Sequence, residues 1–292
     1  MFGKEAIRRA ASFAGLDVFW HKPGGWHWSH TVETYYPVSP KPRWGHGKPL
    51  HDQLKAALDA QREQFDELLK QMTAAKFILE AIPTEASDES LPWWANPYFS
   101  SLDGAALVGM LLLEKPKKYI EIGSGNSTKF ARFTIERAKL ATKLTSIDPY
   151  PRAEIDALCD SLIRKPFEDC STIVLDELES GDILFFDGSH RSFTNSDVTV
   201  FFLEVLPRLP RGVIVQIHDI FLPADYPPEW NKRMYSEQYL LAAMLLGKSP
   251  PFRTLLPNYY ACIDPNLSRL VAAVVQPHMK TLFGGSFWIE TT

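Results

Sequence analysis

An α/β fold is predicted for this chain: a seven-stranded, mostly parallel sheet with an antiparallel C-terminal hairpin, preceded by an N-terminal helical extension. Three observations carry that expectation. Beyond Lys117, short apolar runs alternate with helical segments, the pattern of a parallel sheet covered on both faces. The first of those runs ends in a glycine turn, Gly123-Ser124-Gly125, that opens a helix. Upstream, residues 50–82 are strongly helical, with Leu54, Leu58, Gln61, Phe65, Leu68, Met72, Ala75, Leu79 and Ile82 at alternating spacings of four and three.

Taken in chain order, residues 1–20 interleave Lys4, Glu5, Arg8 and Arg9 with apolar residues and lack the unbroken hydrophobic stretch of a secretory signal. Residues 21–49 are rich in proline and glycine yet carry Trp26, Trp28, Tyr35, Tyr36 and Trp44, so residues 1–49 read as an irregular aromatic arm that packs on its own domain or shares in an acceptor pocket. Residues 50–90 form the heptad-patterned helix and a polar turn, with Pro83 ending the helix. The seam at 50–82 suits a helix lying across its own domain or one forming a homo-oligomer.

Residues 91–292 make the α/β domain. A short helix is expected at 102–113. Strands are expected at 118–122, 144–147, 162–165, 182–186, 213–217, 259–263 and 286–290, and helices near 128–139, 152–159, 173–178 and 196–206. The longest apolar run, residues 105–113, is about half of the ~20 residues needed to cross a bilayer, so no membrane span is expected.

Composition excludes several classes. The chain has 292 residues, 45% of them hydrophobic, and a formal net charge of −4, which suits a soluble globular protein without the basic surface that grips nucleic acid. Its 3 cysteines are odd in number and far apart, which removes a disulfide framework and a cysteine zinc cluster and makes a reducing cytoplasm the expected compartment.

The chemistry gathers in two places. In Glu121-Ile122-Gly123-Ser124-Gly125-Asn126-Ser127-Thr128, the glycines let a ligand approach the backbone, and the helix behind them presents free N–H groups. Asn126 and Ser127 either cap that helix or touch the ligand. A dinucleotide turn would have a third glycine where Thr128 stands. Asp148, in Ile147-Asp148-Pro149 at the end of the next strand, can accept hydrogen bonds from both hydroxyls of a ribose. The second place lies at the ends of two later strands, in Asp187-Gly188-Ser189-His190 and His218-Asp219, where two carboxylates and two imidazoles should emerge on one sheet edge.

The pattern E-x-G-x-G-x-S followed by I-D-P resembles the Rossmann-like class I S-adenosylmethionine-dependent methyltransferases, over residues 96–292. The DGSH and HDI segments look like the subgroup that methylates small-molecule and glycan hydroxyls. The resemblance implies that Gly123, Ser124 and Gly125 line the methionyl part of S-adenosylmethionine, that Glu121 supports its amino end, and that Asp148 with Pro149 holds the ribose. It also implies that Asp187 lies beside the cofactor, that His190 acts as base, and that Asp187, His218 and Asp219 hold Mg2+ or another divalent cation. His218 stands where several metal-dependent relatives have an acidic residue, so a metal-free arrangement, with Asp219 capping a loop and His218 on a backbone carbonyl, is the competing reading.

Other residues receive weaker roles. His27, His30, His46 and His51 are expected to face solvent. Asn96-Pro97-Tyr98-Phe99 resembles an amino-group methyltransferase signature but precedes the first strand; Tyr98, Ser100 and Asp103 are nevertheless placed to reach over the cofactor. Residues 221–230 suit a wall or lid over the acceptor, or plain packing. The expected function is O-methylation of a small-molecule or sugar hydroxyl. The alternatives are an NAD(P)-dependent oxidoreductase, a metal-dependent hydroxylase on the same sheet, and a non-catalytic cofactor-binding scaffold.

Overall fold

A computed structural model describes residues 40–151, 153–275 and 278–292. The expectations for residues 1–39, His27 and His30 among them, lie outside the described residues. Residues 41–292 form one compact unit.

The helical extension is α1 (Asp52–Asp59), α2 (Arg62–Met72) and, after a 3-10 turn, α3 (Lys76–Leu79). The single helix expected over 50–82 is thus interrupted, and it breaks at the one polar residue of the seam. Gln61 leaves helical geometry (φ −109°, ψ 6°) and its amide turns back to the Ala57 carbonyl. The break shifts the buried face, so Leu69 is fully buried and Leu68 only partly. Leu54, Leu58, Phe65, Met72, Ala75, Leu79 and Ile82 are all buried within this chain, so the seam needs no second copy to cover it.

Its cover is α4 (Ser101–Glu114), a helix apolar on every side and buried from Ser101 to Leu111. Close approach is required there: a Cβ on Gly109 would stand 2.6 Å from Met72 Cγ, and one on Gly104 would stand 2.7 Å from Phe130.

The sheet runs β3-β2-β1-β4-β5-β7-β6, built from β1 (Lys118–Ile122), β2 (Lys143–Ile147), β3 (Ser161–Ile163), β4 (Ile183–Phe186), β5 (Ile214–Ile217), β6 (Phe252–Pro257) and β7 (Phe287–Thr291). Strands β1 to β5 are parallel, while β7 runs antiparallel to both β5 and β6. The predicted class is therefore observed. Between the strands lie α5 (Asn126–Arg137), α6 (Thr172–Glu177), α7 (Asp197–Val200), α8 (Glu237–Leu245), α9 (Asn258–Ile263) and α10 (Leu267–Val275). No helix among the described residues is long and apolar enough to cross a membrane.

Four expectations for elements need correction. Residues 259–263, read as a strand, belong to helix α9. Tyr260 turns inward there, its ring 6.2 Å from Phe65 and its hydroxyl 2.5 Å from Asp59, contacts the β-like composition of the run does not reveal. The strand is instead β6, whose alternation of buried Phe252, Thr254 and Leu256 with exposed Arg253 follows two prolines that obscured it. Because α9 and α10 intervene, β6 and β7 are an antiparallel pair and not a tight hairpin. The helix expected at 152–159 is, among the described residues, only the 3-10 turn Asp156–Leu158. The helix expected at 196–206 starts as α7 and continues as a π turn and a 3-10 turn to Arg208.

Candidate active site

The chain goes from β1 outward through β2 and β3, then returns to place β4 on the other side of β1. Open α/β sheets bind ligands at such a reversal, beyond the carboxyl ends of the strands. Both predicted clusters lie there.

At the end of β1, Gly123 has φ +78°, and a Cβ on it would fall 1.9 Å from the Asp187 carbonyl oxygen. The glycine therefore lets β4 close against the turn. Gly125, the N-cap of α5, has no atom within 4 Å of where a Cβ would stand, and it opens onto free space in front of the helix N-terminus. The Gly125 N–H donates to Thr128 Oγ1 at 3.0 Å, and that hydroxyl donates to Glu121. Thr128, at the third-glycine position of a dinucleotide turn, is thus a link that holds this turn in shape.

Glu121 is fully buried, with Thr128 and Ser127 bonded to its carboxyl. Burial pushes its pKa up from 4.5 to about 8, against the pull of those hydroxyls. Between those two values the folded chain keeps a proton that the unfolded chain has lost, so this group's contribution falls as pH rises, by about 1.4 kcal/mol per unit. The melting temperature of Glu121→Gln is accordingly expected to decline less between pH 5 and pH 8 than that of the parent. Parallel melting curves would remove the assignment.

Asp148 follows β2. One carboxylate oxygen accepts the Ser124 N–H at 2.8 Å and the other accepts the Tyr150 N–H at 2.8 Å. Ser124 Oγ lies 2.6 Å from Ser146 Oγ. Asp148 thus braces the glycine turn and retains a second lone pair on each oxygen. Asn126 contacts Asn96 at 3.3 Å, which ties the loop before α4 to the start of α5, while Tyr98 is exposed. Pro149 is part-exposed beside Asp148.

Asp187 leaves β4, and His218-Asp219 leaves β5. His190 Nε2 lies 3.2 Å from Asp187 and 3.4 Å from Asp219, with Nδ1 against Glu237 of α8. His218 Nδ1 lies 3.4 Å from Asp187 and 3.4 Å from Asp219, and its Nε2 faces Asp103 of α4 at 3.5 Å. His190 and Asp219 both adopt the left-handed region, at φ 62° and 58°. The Ser236 N–H holds the His190 carbonyl, and the Ile220 N–H holds the Gly285 carbonyl just past Asp219.

Two imidazoles and four carboxylates therefore form one cluster, with Asp187, 32% exposed, its most exposed member. Burial works against a charged ring at both histidines, but the carboxylates prevail and hold them well above 6.5. Sequence reasoning expected an ordinary imidazole at His190; its surroundings favour the protonated ring, so the neutral form that accepts a proton needs the charge of those carboxylates to be met in another way. Burial likewise opposes charge on Asp187, yet His218 and His190 keep it below the usual carboxylate range. Burial lifts Asp219, and lifts Glu237 to about 7.

Asp187, His218 and Asp219 offer one ligand atom each within 4.8 Å of one another. His218 Nδ1 is buried without a hydrogen-bond partner, so the backbone-carbonyl alternative for this ring is not what the fold provides. A divalent cation fits this donor set.

Sequence reasoning missed Glu237 entirely and gave Asp103 another role. Asp103 accepts from the Gly285 N–H (2.9 Å), the Ser286 N–H (2.8 Å) and Asn258 Nδ2 (2.7 Å), and faces His218 instead of the glycine turn. Neither acid lies near its histidine in sequence, and neither belongs to a motif. The stretch after Asp219 is packed: Phe221 and Tyr226 are buried, and Asp225 accepts the Trp44 N–H at 2.9 Å, so residues 41–49 lie against this wall. His46 Nε2 is 2.8 Å from the Asp225 carbonyl and His51 Nδ1 caps α1, so both rings are engaged although His46 is exposed.

Residues 120–220 match the family model described as a methyltransferase domain. That segment runs from β1 past β5 and contains the glycine turn, Asp148 and the DGSH and HDI segments. This match agrees with the resemblance to class I S-adenosylmethionine-dependent methyltransferases seen in the sequence. Among solved structures, the S-adenosylhomocysteine-bound methyltransferase PaMTH1 of Podospora anserina is 16% identical with a TM-score of 0.41, over 85% of this chain and 100% of that one. The plantazolicin methyltransferase BpumL, in complex with a pentazolic desmethyl analogue and S-adenosylhomocysteine, is 13% identical with a TM-score of 0.40, over 82% of this chain and 95% of that one. No curated protein matches the sequence.

Proposed function

We propose that this chain transfers the methyl group of S-adenosylmethionine to a hydroxyl of a small molecule or sugar. His190 is the base, and a divalent cation assists at Asp187, His218 and Asp219. The supporting observation is the contact of the Asp187 carbonyl with Gly123, which sets the glycine turn and the carboxylate–imidazole cluster side by side where the strand order reverses.

S-adenosylmethionine supplies an electrophilic methyl carbon on a sulfonium. Transfer is an in-line displacement that asks the protein mainly for alignment. The free space at Gly125 and the N–H groups of α5 receive the amino-acid tail, bordered by Ser124, Asn126 and Ser127. Buried Glu121 supports that end through Thr128. Asp148 takes the ribose diol on its remaining lone pairs, next to Pro149. On the acceptor side, the hydroxyl oxygen forms its bond to carbon as its proton passes to Nε2 of the neutral His190 ring, a form favoured once a cation offsets the charge of Asp187 and Asp219, and the carbon–sulfur electrons stay on sulfur. Glu237 at Nδ1 orients the ring and steadies the imidazolium. A divalent cation, when bound, lowers the pKa of the acceptor hydroxyl and orients it. The compartment that goes with this reading is the reducing cytoplasm expected from the cysteine count.

The test is calorimetric titration with S-adenosylhomocysteine, followed by transfer of labelled methyl to a panel of sugars and phenols. Binding with labelled product supports the reading; binding with no product across the panel favours the scaffold, and no binding ends both. Asp148→Ala is expected to weaken S-adenosylhomocysteine by roughly 10- to 100-fold, since one charge-assisted hydrogen bond is worth about 1.5–3 kcal/mol. Unchanged affinity would move the ribose elsewhere.

A further inference from the structure

We infer that Asp187, Asp219 and His218 select a divalent transition cation of the manganese-to-zinc series over magnesium, with His218 as the selecting ligand and Asp103 as the residue that positions it. The inference deepens the proposed function and rests on it for the use of the cation; binding itself is read without donor or acceptor.

Ligand atoms about 2.1 Å from a cation and at right angles to one another stand ~3 Å apart. His218 Nδ1 lies 3.4 Å from a carboxylate oxygen of Asp187 and 3.4 Å from one of Asp219, close to that spacing. The ring is 5% exposed, and its Nδ1 lacks a hydrogen-bond partner although two carboxylates face it. A buried ring nitrogen that faces two carboxylates without a hydrogen bond to either is placed as a third ligand would be.

The far side of the ring explains why Nδ1 is the free atom. Nε2 faces Asp103 Oδ2 at 3.5 Å, and Asp103, 1% exposed, is anchored by the Gly285 and Ser286 amides, by Asn258 and by Ser100. A carboxylate fixed there can hold a ring proton at Nε2 when a cation takes Nδ1. A carboxylate behind a ligating histidine sets its tautomer and raises its basicity.

Donor chemistry then decides the cation. Magnesium takes oxygen ligands and gives up its water reluctantly, whereas imidazole favours the later first-row metals. Two carboxylates alone would suit magnesium; the third, nitrogen position moves the preference. Among the described residues, this is the grouping of three histidine, cysteine or acidic side chains with converging ligand atoms.

The test uses the full chain, stripped with a chelator and titrated calorimetrically with MnCl2, CoCl2, ZnSO4 or MgCl2, each alone. The expected result is one site per chain at which cobalt and zinc bind at least ~100-fold more tightly than magnesium. The cobalt-loaded protein should show visible d–d bands without the sulfur-to-cobalt band that a cysteine would give. His218→Glu is expected to shrink the cobalt-to-magnesium ratio at least ~10-fold, and Asp103→Asn to weaken cobalt by ~10- to 100-fold with magnesium little changed. Circular dichroism confirms that each variant is folded. Magnesium binding as tight as cobalt in the parent, no binding of any of the four to folded protein, or a ratio untouched by His218→Glu would overturn the inference. Failure of methyl transfer with every acceptor would leave these titrations intact and count against the proposed function alone.

Discussion

His190→Ala is expected to lower turnover by about 10²- to 10⁴-fold while S-adenosylhomocysteine affinity stays within a few-fold of the parent. The reason lies in the separation of the two halves of the site. The side chain of His190 faces Asp187, Asp219 and Glu237, whereas the donor turn is held by Ser124, Asp148, Thr128 and Glu121. Removing the imidazole deletes a general base, an effect of that size, without touching the turn. His190 also occupies the left-handed region (φ 62°), so its replacement leaves backbone geometry as the main hazard. His190→Gly, which is free of that strain, serves as the control. Turnover within threefold of the parent in both variants would take His190 out of the mechanism; partial rescue of the glycine variant by added imidazole would strengthen its place.

Gly123→Ala should be the most damaging small substitution at the donor turn. Two penalties combine: a side chain at φ +78° costs about 1–2 kcal/mol, and overpacking costs about 1–3 kcal/mol more. The second penalty is severe here because the atom in the way is the Asp187 backbone oxygen, 1.9 Å from the added carbon, which cannot rotate aside. Destabilisation of about 2–5 kcal/mol is expected by urea denaturation, with loss of S-adenosylhomocysteine binding in whatever remains folded. Gly125→Ala, with nothing within 4 Å of its Cβ, should leave stability nearly unchanged and weaken ligand binding alone. Equal stability losses in the two variants would show that the turn does not close against β4 as described.

The centre of the parallel sheet was legible in the sequence because its strands are buried on both faces and read as short, mainly apolar runs, as in Ile183-Leu184-Phe185-Phe186, whereas the outer strand β3 is exposed at Ser161 and Leu162. The glycine turn and the acids at the strand tips were legible because such residues have few uses at those places. What escaped depended on partners distant in the chain. The strand-like composition of residues 259–263 gave no sign that Tyr260 would turn in against Phe65 and Asp59. The heptad seam identified the buried face of the extension, but not that α4 and its glycines would receive it. The polar gap at Gln61 was visible in the periodicity, but the helix was expected to run through it.

The same distance hid the acids behind the two histidines. Asp103 is 115 positions from His218, and Glu237 is 47 positions from His190, so neither stands in a recognisable spacing. Each nevertheless fixes which ring nitrogen faces the pocket, a detail that residue type alone does not convey.

The anchoring of Asp103 by the amides of Gly285 and Ser286 sets a lower limit on how small a working piece of this protein can be. A fragment excised at residues 120–220 would keep the glycine loop and every motif residue, yet it would lose α4, the lead-in to β7 and the helix bearing Glu237. Its two rings would be free to spin, and swapping that segment alone into another scaffold would graft the motifs without the chemistry.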